Sequence, residues 1–486
     1  MAVLSARLTI PDTLKPKAAY ALRELCHRAG FGMRLVEGDR AHIHYTSDSS
    51  RAASDSVVVR CNPSLYCPET RCKVHVRGPL QIWEDARATD NFDIIGGSWR
   101  LLTLQDEWHV PVQARDRRGT FVVSALPTER AAVVGVPLVE FHAEVLGDTV
   151  ARCWPRLAEA AAPRWPNGKG YALVLSHDAD HVHVGFPAEV AVNLAKAALR
   201  RSAEHAALGW CGLQHMFRPQ TDPFFRFGWW RHWEAQRGLR SVFYLFVRPR
   251  GVPADLNDCK STVADSATDW ALFRRMAEDG WEFGLHPSIH ARKHPWAFQA
   301  AREWLEQRLG SRVVGLRHHY FALDWRRPYE THRMQAEAGF EYDSSIAFRD
   351  APGFRTGTCL PHQPFDPVRN EVIPLQVLPC NLMDVHALCK DITGTREGHS
   401  RAVEKGRDLC RVVCQHGGAL VFNWHQEVAF NQLIYGGFVD VLEEVLTDCL
   451  RESAWIATAE EVCTYWNRKS RELDQDACSV SIPISA

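Results

Sequence analysis

The chain has 486 residues, of which 46% are apolar and 24% are charged, and its net charge is -1. This length exceeds one typical domain, and the composition is that of a soluble protein with sizeable hydrophobic cores. The balanced charge gives no general attraction to a polyanion, although it leaves a local basic patch open, so we expect no nucleic-acid partner. The sequence shows neither a signal-peptide profile nor the run of roughly 18 apolar residues that a membrane helix needs. We therefore expect a cytoplasmic protein without membrane insertion.

The amino-terminal third combines a helical pattern with short β-like runs. Residues 15–30 carry apolar side chains on one helical face, and β-like runs follow at 57–60 and 74–76. The segment 161–170 is rich in proline and glycine and lacks periodicity, which is typical of a linker or a tight entry loop. These patterns predict a small α+β domain that ends before this segment.

Strand-like and helical stretches alternate in the remainder of the chain. Apolar runs at 171–175, 241–247 and 281–285 predict buried strands, and the segments 269–279 and 296–309 predict helices that end at glycines. Helix, short loop and strand repeat in order, which favours an α/β fold with parallel strands. We expect an N-terminal domain over 1–160, a catalytic domain over 165–468 and a polar tail over 469–486.

Three fragments with acid–base and metal-binding side chains each follow a predicted strand. They are Ser176-His177-Asp178-Ala179-Asp180, His286-Pro287-Ser288-Ile289-His290 and Asn423-Trp424-His425. The ends of strands are where α/β barrels collect their catalytic groups. A hydrolytic metal site needs about three protein ligands, an open position for water, and a base and an acid beside it. The fragments therefore predict a metal-assisted hydrolase.

The order of these fragments resembles that of the polysaccharide deacetylase family, the NodB-homology or carbohydrate esterase family 4 group, over residues of about 165–465. Further fragments in the family's order are Gly315-Leu316-Arg317-His318-His319-Tyr320, Gly339-Phe340-Glu341-Tyr342-Asp343-Ser344-Ser345 and Gly353-Phe354-Arg355-Thr356-Gly357. The resemblance implies a distorted (β/α) barrel, one divalent metal and removal of an acyl group from an N-acylated amino sugar. It thus implies a hydrolase that acts on non-peptide C–N bonds.

The amino-terminal part is similar to an accessory domain that precedes the catalytic domain in a bacterial subgroup of this family. The similarity covers Asp93-Ile94-Ile95 through Leu102, Asp106-Glu107, and Arg115-Asp116-Arg117-Arg118-Gly119-Thr120-Phe121. Proteins of this subgroup often belong to surface-polysaccharide pathways. The motifs do not indicate the role of the accessory domain, and its charged residues can equally form solvated loops and local salt bridges.

The resemblance implies that Asp180, His286 and His290 bind the metal. One carboxylate and two imidazoles suit Zn²⁺, and also Fe²⁺, Co²⁺ or Ni²⁺. Pro287 suits the first turn of a helix, which would place His290 about one turn from His286 and on the same side. No residues for another cofactor are indicated.

The acid–base roles fall on three further residues. Asp178 is expected to take the proton of the attacking water, Arg317 to keep that carboxylate ionised, and His425 to protonate the leaving amine. The usual family motif has two adjacent Asp residues, whereas Ala179 separates Asp178 from Asp180 here. The sequence leaves open which Asp is the base and which is the ligand.

Other residues are candidates for the substrate pocket. They are His318, His319, Tyr320, Asp343 and Trp424. One of the two adjacent histidines is expected to face the pocket while the other packs, and a backbone N–H near Tyr320 could complete an oxyanion site. Asp343 could orient His425 or a substrate hydroxyl, and Trp424 could form a wall of the pocket.

Two other functions stay open at this point. The substrate could be a non-sugar, cyclic amide, or the chain could be a non-catalytic barrel that binds a glycan or a partner. The pair His177-Asp178 also matches the HD phosphohydrolase motif, but that motif lies on a helix and this pair follows an apolar strand. The expected ligand is therefore a carbohydrate or another small amide.

Overall fold

The structure is a computed structural model that describes residues 2–38, 41–48, 56–67, 73–77, 80–84, 93–218, 221–253, 267–392, 395–429 and 436–479. The last residues of the predicted tail, 480–486, lie outside these ranges. Within the described part of the chain, no helix has both the length and the apolarity needed to cross a bilayer.

A small parallel sheet forms the core of the amino-terminal part. The elements are β1 (Val3–Thr9), α1 (Lys15–Arg28), β2 (Gly32–Leu35), β3 (Ile43–Thr46), β4 (Val57–Arg60), β5 (Lys73–Arg77), β6 (Leu80–Glu84), α2 (Ile94–Leu102), α3 (Thr128–Ala131), α4 (Leu138–Cys153) and α5 (Pro155–Glu159). Strands β2, β1, β3 and β4 are neighbours in that order, and β5 and β6 form a separate antiparallel pair. The helix predicted from residue 15 and the strand predicted at 57–60 are confirmed.

A larger parallel sheet with surrounding helices follows. Its strands and the short strands beside it are β7 (Tyr171–Ala179), β8 (Val242–Val247), β9 (Glu282–Pro287), β10 (Gly315–Leu316), β11 (Tyr342–Asp343), β12 (Phe365–Asp366), β13 (Glu371–Val372), β14 (Gln376–Val377), β15 (Leu382–Met383), β16 (Ala419–Asn423) and β17 (Ala454–Ile456). The helices are α6 (Pro187–Arg200), α7 (Ala203–His215), α8 (Phe227–Ala235), α9 (Ala267–Glu278), α10 (Pro295–Leu309), α11 (Pro328–Glu337), α12 (Cys389–Ile392), α13 (Arg396–Gln415), α14 (Phe438–Cys449) and α15 (Ala459–Ser479). The sheet runs β14-β11-β10-β9-β8-β7-β16-β15, and β17 also pairs with β7.

One segment, 376–383, joins the two edges of this sheet. Its first part, β14, pairs with β11, and its last part, β15, pairs with β16. Between them, the Leu378 N–H donates to the carbonyl of Asp343 and the Asn381 N–H donates to the carbonyl of Val421. The sheet thereby closes into a distorted barrel. The predicted fold class, an α/β barrel behind a smaller amino-terminal domain, is confirmed.

Alternation along β7 decides which side chains face the barrel interior. Ala172 and Val174 pack in the inner cluster, whereas Leu173 and Leu175 pack in the cluster under the outer helices. Because successive side chains of a strand point to opposite faces, this alternation puts Asp178 on the interior face and His177 on the helix side. The His177 ring stacks on Phe243 and bonds to Glu234, so the pair does not form an HD-type metal site.

The predicted polar tail is in part a packed helix. Helix α15 continues to Ser479, and Leu473 within it is fully buried. The carbonyl of Leu473 lies so close to β2 that a Cβ at Gly32 would overlap it. The segment from 469 contains few apolar residues, so the sequence gives only a weak helical pattern there and predicts a tail.

The predicted linker at 161–170 is also fixed in place. The Trp165 side chain is fully buried, and its Nε1–H donates to the carbonyl of Gly417 at 2.8 Å. The Ala162 N–H donates to the carbonyl of Gly30. The segment is therefore a packed connection between the two sheets.

Buried ion pairs fasten the amino-terminal part to the barrel. Arg355 binds both carboxylate oxygens of Glu107, at 2.6 and 2.8 Å, and its guanidinium lies 3.4 Å from the centre of the Trp325 ring. Arg130 pairs with Asp106 at 2.7 Å and also donates to the carbonyl of Arg355. These charged residues are not solvated loops, because they are almost fully removed from water.

We predict that Glu107→Gln lowers the free energy of unfolding by about 3–5 kcal/mol, because it leaves the buried Arg355 guanidinium uncompensated. The matched control is Glu341→Gln, which removes the partner of Arg312 from an exposed pair and should cost about 1 kcal/mol or less. Urea unfolding of both variants measures the difference. Equal losses in the two variants would contradict the structural role of the Glu107–Arg355 pair.

Candidate metal and acid–base centre

The candidate site lies at the carboxyl ends of the barrel strands. Its residues are Asp178 and Asp180 at the end of β7, His286 in β9, Arg317 and His319 after β10, Asp384 after β15, and Asn423 and His425 at the end of β16. Parallel strands bring these positions to one edge of the sheet, which is why residues far apart in sequence converge there.

Three buried side chains form a potential metal-binding group. The ligand atoms of Asp180, His286 and His319 all lie within 4.8 Å of one another. Nε2 of His286 is 2.9 Å from Oδ1 of Asp180, and Nε2 of His319 is 3.4 Å from Oδ2 of the same carboxylate. One carboxylate and two imidazoles are a donor set that suits a divalent transition metal.

Hydrogen bonding at His286 agrees with a role as a metal ligand. Its Nδ1 lies 2.6 Å from the carbonyl oxygen of Arg317, and a carbonyl can only accept, so Nδ1 carries the proton. Nε2 therefore presents its lone pair to the nearby Asp180 carboxylate. Two electron-rich atoms at this distance need a cation or a second proton between them. Fixing the ring through the other nitrogen is the usual arrangement for metal-binding histidines.

The expected third ligand, His290, is not part of this group. Strand β9 extends through Pro287, and a 3-10 helix (Ala291–Lys293) follows before the next α-helix begins at Pro295, so His290 does not lie within an α-helix. The Ser288 hydroxyl instead accepts a hydrogen bond from the His290 N–H. Among the described residues, the side chains grouped with the Asp180 carboxylate as potential metal ligands are those of His286 and His319.

Asp178 is held beside the metal-binding group as a carboxylate. Arg317 donates to its Oδ1 at 3.1 Å, and the Asn423 side-chain amide donates to its Oδ2 at 2.8 Å. Burial would raise the pKa of Asp178, but the nearby His286, Arg317 and His425 lower it below its ordinary value. The expected pairing of Asp178 with Arg317 is present.

Arg317 is a fully buried cation with several partners. Its guanidinium donates to Ser176 Oγ at 2.8 Å and to the carbonyl and hydroxyl of Ser344 at 3.1 and 3.0 Å. It also lies 4.5 Å from the centre of the Tyr244 ring. Burial opposes the charge, but the ion pair with Asp178 raises the pKa of Arg317 above its ordinary value. The side chain is therefore a fixed, permanent positive charge.

Asp384 holds His425 in place within the site. Its Oδ1 lies 2.8 Å from Nδ1 of His425, and its Oδ2 accepts the His425 backbone N–H, also at 2.8 Å. Burial alone would lower the pKa of His425, but the Asp384 carboxylate raises it to about 10. Sequence reasoning missed Asp384, because the strand that precedes it, β15, has only two residues and gives no apolar run.

The remaining pocket candidates divide between the cavity and the core. His319 and Tyr320 line the cavity. His318 is fully buried, packs on Phe298 and lies 3.0 Å from the Gln335 amide, and burial lowers the pKa of His318. The adjacent histidines thus face opposite ways, as expected.

Asp343 and Trp424 are not among the described residues that line the cavity. Asp343 accepts hydrogen bonds from the Ser345 N–H and the Gln335 amide, so Asp384 and not Asp343 orients His425. Trp424 packs in the core beneath the outer helices.

A cavity of about 140 Å³ opens onto the metal-binding group, Asp178 and His425. It is lined by Asp178, Asp180, His181, His286, His319, Tyr320, Phe321, Arg349, Met383, Val385, His425 and Glu427. A larger cavity of about 630 Å³ lies beside Glu341 and helix α15, at the end where the strands begin. Its lining contains no histidine, and the beginning of barrel strands is the end associated with stability, so the smaller cavity is the candidate site.

We predict that Asp384→Asn lowers the pKa of His425 from about 10 towards the ordinary value near 6.5, because the compensating negative charge is lost. His425 should then lose its proton as the pH rises through neutrality. The titration of its imidazole by NMR, on metal-free protein, measures the change. Asp343→Asn is the matched control and should leave this pKa in place; an unchanged pKa in Asp384→Asn would contradict the assignment.

Comparison with solved structures identifies similar folds over about 60% of the chain, including polysaccharide deacetylases and an allantoinase. A probable polysaccharide deacetylase from Pseudomonas aeruginosa PAO1 is 16% identical with a TM-score of 0.40, covering 63% of this chain and 94% of that chain. Puue allantoinase is 14% identical with a TM-score of 0.39, covering 63% and 93%. A 4-alpha-glucanotransferase from Thermococcus litoralis is 12% identical with a TM-score of 0.35, covering 60% and 40%.

At these identities the likeness concerns the fold alone. No protein-family model matches the sequence, and a search of the curated proteins finds no match. Since one fold hosts many reactions, the function has to be argued from the site.

Proposed function

We propose that this protein is a metal-dependent hydrolase that removes an acyl group, such as acetyl, from an N-acylated amino sugar. The observation that carries the proposal is the convergence of three sets of side chains on one cavity. A potential metal-binding group, a carboxylate paired with a buried arginine and a histidine paired with a buried aspartate all line it or lie directly behind it. Amide hydrolysis needs these three functions together.

The metal would be held by Asp180, His286 and His319, and we propose Zn²⁺. When bound, such an ion polarises the amide carbonyl and increases the acidity of water. This assignment makes Asp180 the ligand. It leaves Asp178, which is paired with Arg317 and lies next to the ligands, for proton transfer.

Asp178 would act as the general base. Its lowered pKa keeps it ionised at neutral pH, and the bonds from Arg317 and Asn423 fix its orientation. A base held in this way can take a proton from water as the water attacks the carbonyl carbon.

His425 would act as the general acid. Its raised pKa keeps it protonated at neutral pH, and Asp384 engages Nδ1, so Nε2 is the atom available to a substrate. Proton transfer to the departing nitrogen is required because an unprotonated amine is a poor leaving group.

We predict that the metal-loaded protein releases acetate from an N-acetylated amino sugar, and that Asp178→Asn lowers kcat by about 100-fold or more. A screen of N-acetyl sugars beside cyclic amides, with acetate or ring opening as the measured product, tests the substrate class. If the protein hydrolyses only the cyclic amides, the proposed sugar substrate is wrong and the protein is a cyclic-amide hydrolase.

The control for this experiment is Asp343→Asn, which alters a buried carboxylate outside the cavity lining. It should keep most of the activity when circular dichroism shows a folded protein. Full activity in Asp178→Asn would exclude the proposed base, and an unaltered cellular phenotype in this variant would favour a binding role.

A further inference from the structure

A positively charged cleft adjoins the catalytic cavity. Its volume is about 410 Å³, and it is lined by Val112, Arg115, Asp116, Arg117, Arg118, Gly119, Arg292, Lys293, Asp324, Trp325 and Arg326. Six of these residues are cationic and two are acidic, although the whole chain has a net charge of -1. The positive charge is therefore concentrated in this cleft and is not a property of the overall composition.

The two acidic residues of the cleft lie near arginines inside and outside it. Asp116 lies 3.7 Å from Arg118, which is itself a cleft residue, and 3.2 Å from Arg349, and Asp324 lies 3.6 Å from Arg327. Six cationic and two acidic residues leave the lining with an excess of four positive charges. A concave surface with an excess of one sign attracts ligands of the opposite sign.

Two of the cleft arginines are held by neutral backbone groups. Arg115 donates to the carbonyls of Gly119 and Glu107, and Arg292 donates to the carbonyls of Arg118 and Leu323. Burial lowers the pKa of both arginines. An anion in the cleft would offset the loss of water around their guanidinium groups.

The loop that supplies half of the cleft is a tight, fixed turn. Asp116 Oδ1 accepts the backbone N–H groups of Arg118 and Thr120, at 2.8 and 3.1 Å. Gly119 has a φ of 83°, a conformation that favours glycine. The cations are therefore presented in a set arrangement before any ligand arrives, which reduces the entropy lost on binding.

The cleft and the catalytic cavity share a wall. The Arg118 guanidinium lies 3.6 Å from the centre of the Tyr320 ring, and Tyr320 lines the catalytic cavity. Asp116 lines the cleft, and its partner Arg349 lines the cavity. One extended molecule could thus lie in both.

We propose that this cleft binds a phosphate ester of the substrate, so that the acylated sugar enters the catalytic cavity while its phosphate lies among the arginines. Guanidinium groups bind phosphate through paired N–H donors, and six cations exceed what a single carboxylate of a sugar acid would need. A diphosphate-linked sugar, carried by a nucleotide or by a lipid, fits this chemistry. The amino-terminal part would thus take part in substrate binding. The identity of the sugar rests on the proposed function, whereas phosphate binding in the cleft does not.

The test is calorimetric binding of inorganic diphosphate to the full chain, freed of metal with a chelator that is then removed. We expect saturable binding that weakens as ionic strength rises, and that weakens about tenfold or more in the double variant Lys293→Ala/Arg326→Ala. Both side chains are exposed, so the fold should tolerate their loss. Arg411→Ala/Arg451→Ala removes two positive charges from exposed positions elsewhere and should bind like the unaltered chain.

Other outcomes would overturn the proposal. They are absence of diphosphate binding, equal binding in both double variants, or a preference for glucuronate over diphosphate. Binding that is lost in His319→Ala but kept in Lys293→Ala/Arg326→Ala would also overturn it. Because no turnover is measured, failure of the hydrolase proposal would leave this result unchanged. A nucleotide-diphosphate sugar and a lipid-diphosphate sugar, compared in the same assay, then distinguish the two sources of the phosphate.

Discussion

The site depends on a single buried cation, Arg317. A fully buried guanidinium is costly unless its charge and its donors are satisfied, and here Asp178, Ser176 and Ser344 satisfy them. The same residue fixes His286 through its backbone carbonyl. The proposed base and one proposed metal ligand are therefore oriented by one residue at the end of β10, the base through its side chain and the ligand through its backbone carbonyl.

The amino-terminal part is tied to the barrel at the same side of the molecule. Its Glu107 forms a buried ion pair with Arg355, its Arg130 donates to the carbonyls of Phe354 and Arg355, and its 115–119 loop reaches the wall of the candidate cavity. A domain held by such contacts has a fixed position relative to the cavity. This arrangement explains why the Asp106-Glu107 pair of the amino-terminal part and the Arg355 fragment of the barrel, far apart in the sequence, are packed together.

Much of the site could be predicted from sequence because strand ends follow apolar runs. Asp178, Asp180, His286 and His425 were found in this way, and the structure brings them to one cavity. His319 was expected only in the pocket, since the spacing of His286 and His290 suggested a helical pair; the strand continued instead through Pro287. Asp384 follows a two-residue strand, which is too short to give a periodic signal. The positions of His319 and Asp384 both depend on pairing between segments far apart in the chain. The pattern of neighbouring residues gives no information about such pairing.

Asp180, His286 and His319 form the proposed metal site, on which the proposed hydrolysis depends. The most direct measurement is the metal content of protein purified without chelator and then incubated with Zn²⁺, for the unaltered chain and for Asp180→Ala, His319→Ala and His290→Ala. We expect about one metal ion per chain, lost in the first two variants and retained in His290→Ala. Absence of metal in the unaltered chain, or loss in His290→Ala with retention in His319→Ala, would contradict the proposed metal site.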